Sequence, residues 1–279
     1  MGSRNSAKPA DGGTGETPVS SSVRLRRWII EQSLESNVGH IASALCITDI
    51  LAVLWGEVMR NPGSTDAERD RFILAKGHAA LALYGVMRER GLLTEEQFHT
   101  YCKDDSLLGA HPEHALPGVE VATGSLGQGL SVACGIAYAL RQRGSTARVF
   151  VLVSDAECNE GQLWEAVMFA AHHRLANLVV IVDLNGMQAM GATETVLDLR
   201  PLASRWQAFG WRALEVDGHD QAALRDAFTA GLTDAAGPTV AIARTALGKG
   251  VSFMENRLEW QYRNLTPALA RDALQEIEV

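Results

Sequence analysis

The chain is poor in cysteine, in aromatics and in long apolar runs, and it carries no excess of positive charge. Four cysteines stand far apart in 279 residues, with no C-x-x-C pair. That excludes a zinc ribbon or a disulfide framework and suits a reducing cytoplasm. Cys158 falls in a loop of chemical interest, but its expected role is that of a small buried filler. No apolar run approaches the roughly 20 residues that span a bilayer, and the N-terminus has no signal-peptide core. Lys and Arg number 25 against 33 Asp and Glu, a net charge of −8. Such a balance argues against a nucleic-acid or membrane-surface partner. The first 21 residues hold almost no large apolar side chain and read as a disordered tail. Their opening, MGSRNS, fits a myristoylation pattern that nothing else supports. The glycine run from Gly124 to Gly129 lacks the dinucleotide-fingerprint spacing and follows no clear strand, which argues against a nicotinamide-binding protein.

What is present is a composition of 47% hydrophobic and 21% charged residues, that of a soluble globular protein. The length suits one large α/β domain or two small ones. The stretch from Arg148 to Gly191 organises it. Arg148 to Val153 is a Val-rich run of the kind buried in a parallel sheet. Leu163, Val167, Ala170 and Ala171 recur at helical spacing within Gly161 to His172. Leu178 to Val182 is a second apolar strand. Asp155 ends the first strand and Asn185 follows the second. Ligands of open α/β sheets gather at the carboxyl ends of strands, so the two side chains reach one edge. A carboxylate oxygen and an amide oxygen suit Mg²⁺ or Ca²⁺ rather than zinc, and leave room for phosphate oxygens. A helix starting near Asn159 adds backbone N–H groups for an anion. The inference is a Mg²⁺-diphosphate site; the alternative is a pair of ordinary turn residues.

Elsewhere, Val23 to Glu35 reads as an amphipathic helix, and a second runs from Thr48, as N-cap, to Met59. His40 lies in the loop between them. Arg71 to Ala75 is a strand, followed by Lys76-Gly77-His78 and a helix through Arg90. Thr94 and Gln97 form a capping box for a helix reaching Tyr101. A long helix covers Leu130 to Gln142, and a further one Asp198 to Phe209, interrupted early by Pro201. Trp211 to Val216, Gln221 to Gly231 and Pro238 to Ala243 read as strand, helix and strand. Thr266-Pro267 caps a final helix. The alternation after residue 148 predicts βαβ units. His114, His172 and His173 read as surface residues.

Several ordered segments resemble the transketolase family. They are SNVGHIASALCITDILAVLW, LAKGHAALALYGVM, GAHPEHALPGVEVATGSLGQGLSVACGIA, SDAECNEGQLWEA with NLVVIVDLNGMQ, and GKGVSFMEN. Asn185 lies 30 residues after Asp155, as in the thiamine diphosphate signature. The resemblance covers nearly all of residues 22–279, taken as one diphosphate-binding domain. It implies a three-layer α/β/α fold with a mainly parallel central sheet. It also implies Mg²⁺ held by Asp155, Asn185 and the carbonyl of Met187. Thiamine diphosphate would be contacted by His78, Gly124, Ser125 and Leu126, by Ser154, Ala156 and Glu157 around the first metal ligand, and by Asn185 and Gln261. Glu160 is placed at a subunit interface near the pyrimidine. His40 and His111 become the catalytic histidines, polarising substrate oxygens or moving protons.

The departures are visible too. Ile41 replaces a proline, Ser154 and Ala156 replace two glycines, and Gln261 stands where the family has His after Trp260. Glutamine can hydrogen-bond but carries neither proton nor charge. The resemblance matches only the first third to half of a full transketolase. It therefore implies a split enzyme completed by a separate C-terminal subunit with the pyrimidine-binding domain, as a two-plus-two heterotetramer. The reaction implied is transfer of a two-carbon ketol unit from a ketose to an aldehyde. The rivals are a related enzyme using pyruvate or another 2-keto acid, and a non-catalytic cofactor-binding subunit.

Overall fold

A computed structural model describes residues 21–233 and 236–277. The tail expected over residues 1–21 lies outside the described residues, except Ser21, which opens the first helix. Five strands form the central sheet: β1 (Arg71–Leu74), β2 (Val149–Ser154), β3 (Leu178–Leu184), β6 (Arg212–Asp217) and β7 (Thr239–Arg244). Their order is β1-β2-β3-β7-β6, and every pairing is parallel. A short antiparallel hairpin, β4 (Met187–Gln188) with β5 (Gly191–Ala192), follows β3.

The period-two alternation of strand side chains divides the core. Phe72, Leu74, Phe150, Leu152, Val179 and Ile181 point to one face of the sheet. There they meet α1 (Ser21–Ser36), α2 (Ile41–Cys46), α3 (Thr48–Val53), α4 (Ala80–Glu89), α10 (Gln221–Thr233) and α11 (Pro267–Ile277). Ile73, Val149, Val151, Val153, Val180 and Val182 point to the other. That face is covered by α6 (Gln128–Gln142), α7 (Gly161–His172) and α9 (Leu202–Ala208). Because both faces are covered, β2 and β3 read as near-continuous apolar runs, apolar from Val149 to Val153 and from Leu178 to Val182. The architecture is the expected three-layer α/β/α fold with a mainly parallel sheet.

At the amino ends of the strands, Asp70 is fully buried. Its carboxylate accepts from the Arg60 main chain at 2.8 Å, from the Arg148 main chain at 2.9 Å and from both guanidinium groups. This clasp joins the chain leaving α3 to the starts of β1 and β2. Burial alone would raise the Asp70 pKa, but the Arg148 and Arg60 hydrogen bonds hold it below the usual carboxylate range.

Local differences from the sequence reading have local causes. The segment after His40 is helical at once, as α2, because Ile41, Leu45 and Cys46 are all buried against the core. Thr48 is not a cap: its hydroxyl donates to the Ala44 carbonyl at 3.1 Å. Beyond α3 the chain continues as a π-helical turn, Leu54–Val58. The helix expected over Asp198 to Phe209 is broken, with α8 (Thr193–Leu197) before it and α9 after. Pro201 excludes helical backbone at the preceding residue and becomes the N-cap of α9. The capping box of α5 (Glu95–Phe98) is present as expected, with Gln97 N–H donating to Thr94 Oγ1 at 3.1 Å, although the helix is shorter. Thr266 caps α11 by accepting from Leu269 N–H at 3.3 Å.

Candidate active site

The carboxyl ends of β1, β2 and β3 bring Lys76, Asp155 and Asn185 to one edge. Three other segments close over it. His40 comes from the turn between α1 and α2, His111 and Gly124 from the long loop before α6, and Gln261 from a short 3₁₀ turn, Leu258–Gln261. Together they line a cleft of about 240 Å³. Two glycines let the segments around it pack closely. A Cβ on Gly77 would lie 2.8 Å from the Gly124 nitrogen, and one on Gly124 (φ +140°) would lie 2.8 Å from the His111 ring. Only glycine permits both approaches.

His40 adopts a left-handed backbone (φ +66°) that turns the chain into α2. Its main-chain N–H donates to the Gln261 carbonyl at 3.0 Å, which ties the His40 loop to the 3₁₀ turn. The His40 and His78 rings lie 5.3 Å apart, and Tyr262 meets His40 edge-on at 5.9 Å. Burial, reinforced by nearby His111 and Lys76, pushes the His40 pKa down. His78 goes down further, to about 2, through burial and the charges of Lys76, His40 and His111. Both imidazoles are therefore neutral near pH 7.

Beneath the cleft, Lys76 and Asp183 form a buried ion pair. Burial works against the Lys76 charge, but the Asp183 carboxylate holds its pKa above the ordinary lysine value. Asp183 also accepts from Asn185 Nδ2 at 2.9 Å, from Cys46 Sγ at 3.3 Å and from the Thr245 hydroxyl. With its nitrogen committed to Asp183, Asn185 turns its oxygen the other way, where it accepts from Met187 N–H at 2.9 Å. Asp155 is 2% exposed. It accepts from Ala156 N–H, Gly186 N–H and the Thr193 hydroxyl at 2.8–2.9 Å. Among the described residues no cationic side chain is paired with it. Burial and the neighbouring Asp183 carboxylate push it up to about 6.

The residues singled out in the sequence separate into two groups. His40, His78, His111, Gly124, Leu126, Ser154, Ala156, Asn185, Met187 and Gln261 all line the cleft. Asp155 stands beside Asn185 at the wall of a neighbouring cavity of about 600 Å³. Ser125, Glu157 and Glu160 stand outside the cleft lining. Ser125 is exposed and accepts from Gln128 Nε2 at 2.8 Å. Glu157 is fully buried and accepts from Ser154 N–H at 3.0 Å and Gly127 N–H at 3.2 Å, stapling the end of β2 to the start of α6. Glu160 is exposed at the N-cap of α7. His114 and His172 are exposed, as expected, while His173 is half-buried against Phe169 and Tyr138. Cys158 is buried, as expected of a filler. The sequence reading missed Ser43, Cys46 and Asp183. For Asp183 a signal existed: it is the lone charge in an otherwise apolar strand.

A family model described as transketolase, thiamine diphosphate binding domain, matches residues 20–262. The chain belongs to the transketolase family. An apulose-4-phosphate transketolase subunit from Phocaeicola vulgatus is 35% identical over 94% of this chain and 94% of its own length. A 6-deoxy-6-sulfo-D-fructose transketolase subunit from a Clostridium species is 34% identical over 91% of this chain and 94% of its own length. Against single-chain transketolases the coverage is lopsided. The Campylobacter jejuni enzyme superposes with a TM-score of 0.85 at 27% identity, covering 93% of this chain and 42% of that one. This transketolase-family chain thus spans nearly the whole of the subunit relatives and about two-fifths of the single-chain enzyme. No helix among its described residues is long and apolar enough to cross a membrane.

Proposed function

We propose that this chain is the diphosphate-binding subunit of a two-subunit transketolase, holding thiamine diphosphate through Mg²⁺. The observation that carries the proposal is the convergence of Asp155 and Asn185 beside a cleft lined by three histidines. The donor set fits the group. Asp155 and Asn185 offer hard oxygen ligands, to which the Met187 carbonyl adds a third, and two protein side chains leave a Mg²⁺ ion positions for phosphate oxygens. Asp155 is a buried carboxylate without a cationic partner among the described residues, so a divalent ion would supply the charge it lacks. Gly77 and Gly124 let the loop before α6 pack its main chain against the turn after β1 and against the His111 ring, which holds the cleft wall in place.

When bound, thiamine diphosphate supplies a carbanion that accepts and releases a two-carbon ketol unit. The chain's own residues bind and orient around it. Asp155, Asn185 and the Met187 carbonyl hold the metal. Gly124, Leu126, Ser154 and Ala156 shape the cleft walls, with Ser125, Glu157 and Glu160 in the adjoining loops. His40 is neutral at its lowered pKa and can take a proton from a substrate hydroxyl. His111 faces it and polarises a carbonyl or hydroxyl oxygen. The donor is a ketose and the acceptor an aldehyde. Gln261 removes a charge from the substrate end.

Two relatives are named as subunits of transketolases acting on apulose 4-phosphate and on 6-deoxy-6-sulfo-D-fructose. By that analogy a separate C-terminal subunit, carrying the pyrimidine-binding domain, completes the site in a two-plus-two assembly. Four free cysteines suit a cytoplasmic location.

The test is calorimetric titration of the purified chain with thiamine diphosphate, with and without Mg²⁺, followed by assay of ketol transfer after adding the partner subunit. Mg²⁺-dependent binding and partner-dependent transfer are expected. Binding that ignores Mg²⁺, or survives unchanged in Asp155→Ala, overturns the site. Full transfer activity without a partner overturns the two-subunit reading.

A further inference from the structure

Asn185 can offer a cation an oxygen only if its side-chain amide is held one way round. A half-turn about one bond exchanges the amide oxygen for the nitrogen, and only the oxygen is a ligand for a hard cation. Two neighbours decide that half-turn, and each can play only one part. Nδ2 faces Asp183 Oδ2 at 2.9 Å. That carboxylate is paired with the Lys76 ammonium group, so it accepts. Oδ1 faces the Met187 main-chain N–H at 2.9 Å, which can only donate. Turning the amide over would set its nitrogen against an N–H and its oxygen against a carboxylate. In the observed orientation the Met187 N–H takes one lone pair of Oδ1 and leaves the second for a cation.

Asp183 is itself held from separate parts of the fold. It lies in β3 and is fully buried. Lys76, from the end of β1, and the Cys46 thiol, from α2, donate to Oδ2. Thr245, directly after β7, donates to Oδ1. A carboxylate caught at both oxygens cannot swing away from Asn185.

We propose that Asp183, fixed by Lys76 and Thr245, selects oxygen rather than nitrogen as the atom that Asn185 presents at the metal position, and so sets the affinity of this chain for a hard divalent cation. Asp183, Lys76 and Thr245 are positioning residues: they act through Asn185. The metal rests on the transketolase reading; the orientation of the amide does not.

The experiment uses the ¹⁵N-labelled full chain. Side-chain amide NMR without metal or cofactor, with an Asn185→Ser sample to identify the resonances, reads the orientation. Titration with Mn²⁺ in the presence of inorganic diphosphate, followed by EPR, reads the affinity. In the wild type one Nδ2 proton of Asn185 should be shifted downfield and slow to exchange, because Asp183 accepts it. The double variant Lys76→Met/Asp183→Val replaces the ion pair by apolar groups and leaves no charge unpaired. Its Asn185 amide should lose that signature, and its Mn²⁺ affinity should fall by about 10–100-fold. Thr245→Val keeps both charges and frees Oδ1; affinity should fall by about tenfold, the lower end of that range, while Thr245→Ser, which keeps the hydroxyl, restores it. An Asn185 amide in the wild type with neither downfield shift nor protection overturns the proposal, and so does a double variant that binds Mn²⁺ as the wild type does. Should the double variant not fold, wild-type affinity in Thr245→Val overturns it instead. A wild-type chain that shows the amide signature yet binds no Mn²⁺ would overturn the metal reading and leave the orientation standing, so the two failures are seen separately.

Discussion

Two ends of the same sheet each bury aspartates, and they treat them in opposite ways. At the amino end, Asp70 is surrounded by donors from Arg60 and Arg148, and its pKa is held low. At the carboxyl end, Asp183 is balanced by Lys76, but Asp155, at the end of the neighbouring strand, meets only neutral donors and is pushed up to about 6. The first arrangement is complete: charge and hydrogen bonds are all met inside the chain. The second leaves a negative charge, two neutral histidines and open volume. A fold can bury a charge for its own stability at either end. Only the end with something left over is prepared to bind.

Breaking the balanced pair under the site should have the largest effect. Lys76→Met leaves Asp183 buried and uncompensated, at a cost of about 3–5 kcal/mol, read as a lowered denaturant midpoint with an unchanged slope. A midpoint within error of wild type would mean that the pair contributes nothing net. At the opposite end, Asp70→Asn should cost about 2–3 kcal/mol in stability, as hydrogen bonds to a charged group weaken, while leaving cofactor affinity per folded molecule unchanged. Its pH behaviour sharpens the contrast. A carboxylate with a depressed native pKa contributes stability above its unfolded pKa, near 3.9, and loses it as pH falls through the native value. The wild-type advantage over Asp70→Asn should therefore be full at about pH 6 and shrink steadily below about pH 4.

Asp155→Ala should act in the reverse sense. Mg²⁺-dependent binding of thiamine diphosphate should fall by about 100-fold or more, on the order of 2.7 kcal/mol, while thermal stability without cofactor stays level or rises. A marked loss of stability with affinity intact would place Asp155 with Asp70 as a structural group. The smallest effect belongs to an exposed helix start. Thr266→Ala removes the α11 cap and should cost about 1 kcal/mol, with no change in ligand affinity.

Much of this was readable in the sequence because it rests on short-range patterns. β2, α7 and β3 are set by apolar periodicity, and their ends deliver Asp155 and Asn185 as expected. The caps at Thr94 and Thr266 depend on neighbours within one turn. His40, His78, His111 and Gly124 were identified through ordered motifs, and all four line one cleft. Other features were not legible. Glu157 stands next to the cleft-lining Ala156, yet its carboxylate folds inward to hold the loop before α6. Whether a side chain on a tight turn points into the cleft or back into the core is a matter of packing, not of spacing.

The alternation of strands and helices, the two-faced core and the types of residue at each strand end were all written in the order of the amino acids. They follow from periodicity and turn chemistry along a continuous piece of chain. The placing of Ser43 between Gln261 and His78, and the meeting of Lys76 with Asp183, came from the closing of the three layers. The partners His78 and Ser43, Ser43 and Gln261, and Lys76 and Asp183 are separated by 35, 218 and 107 positions. A hydrogen bond between such groups forms only when the fold is complete, because the interaction falls off within about an ångström while the chain between is free to place its ends anywhere.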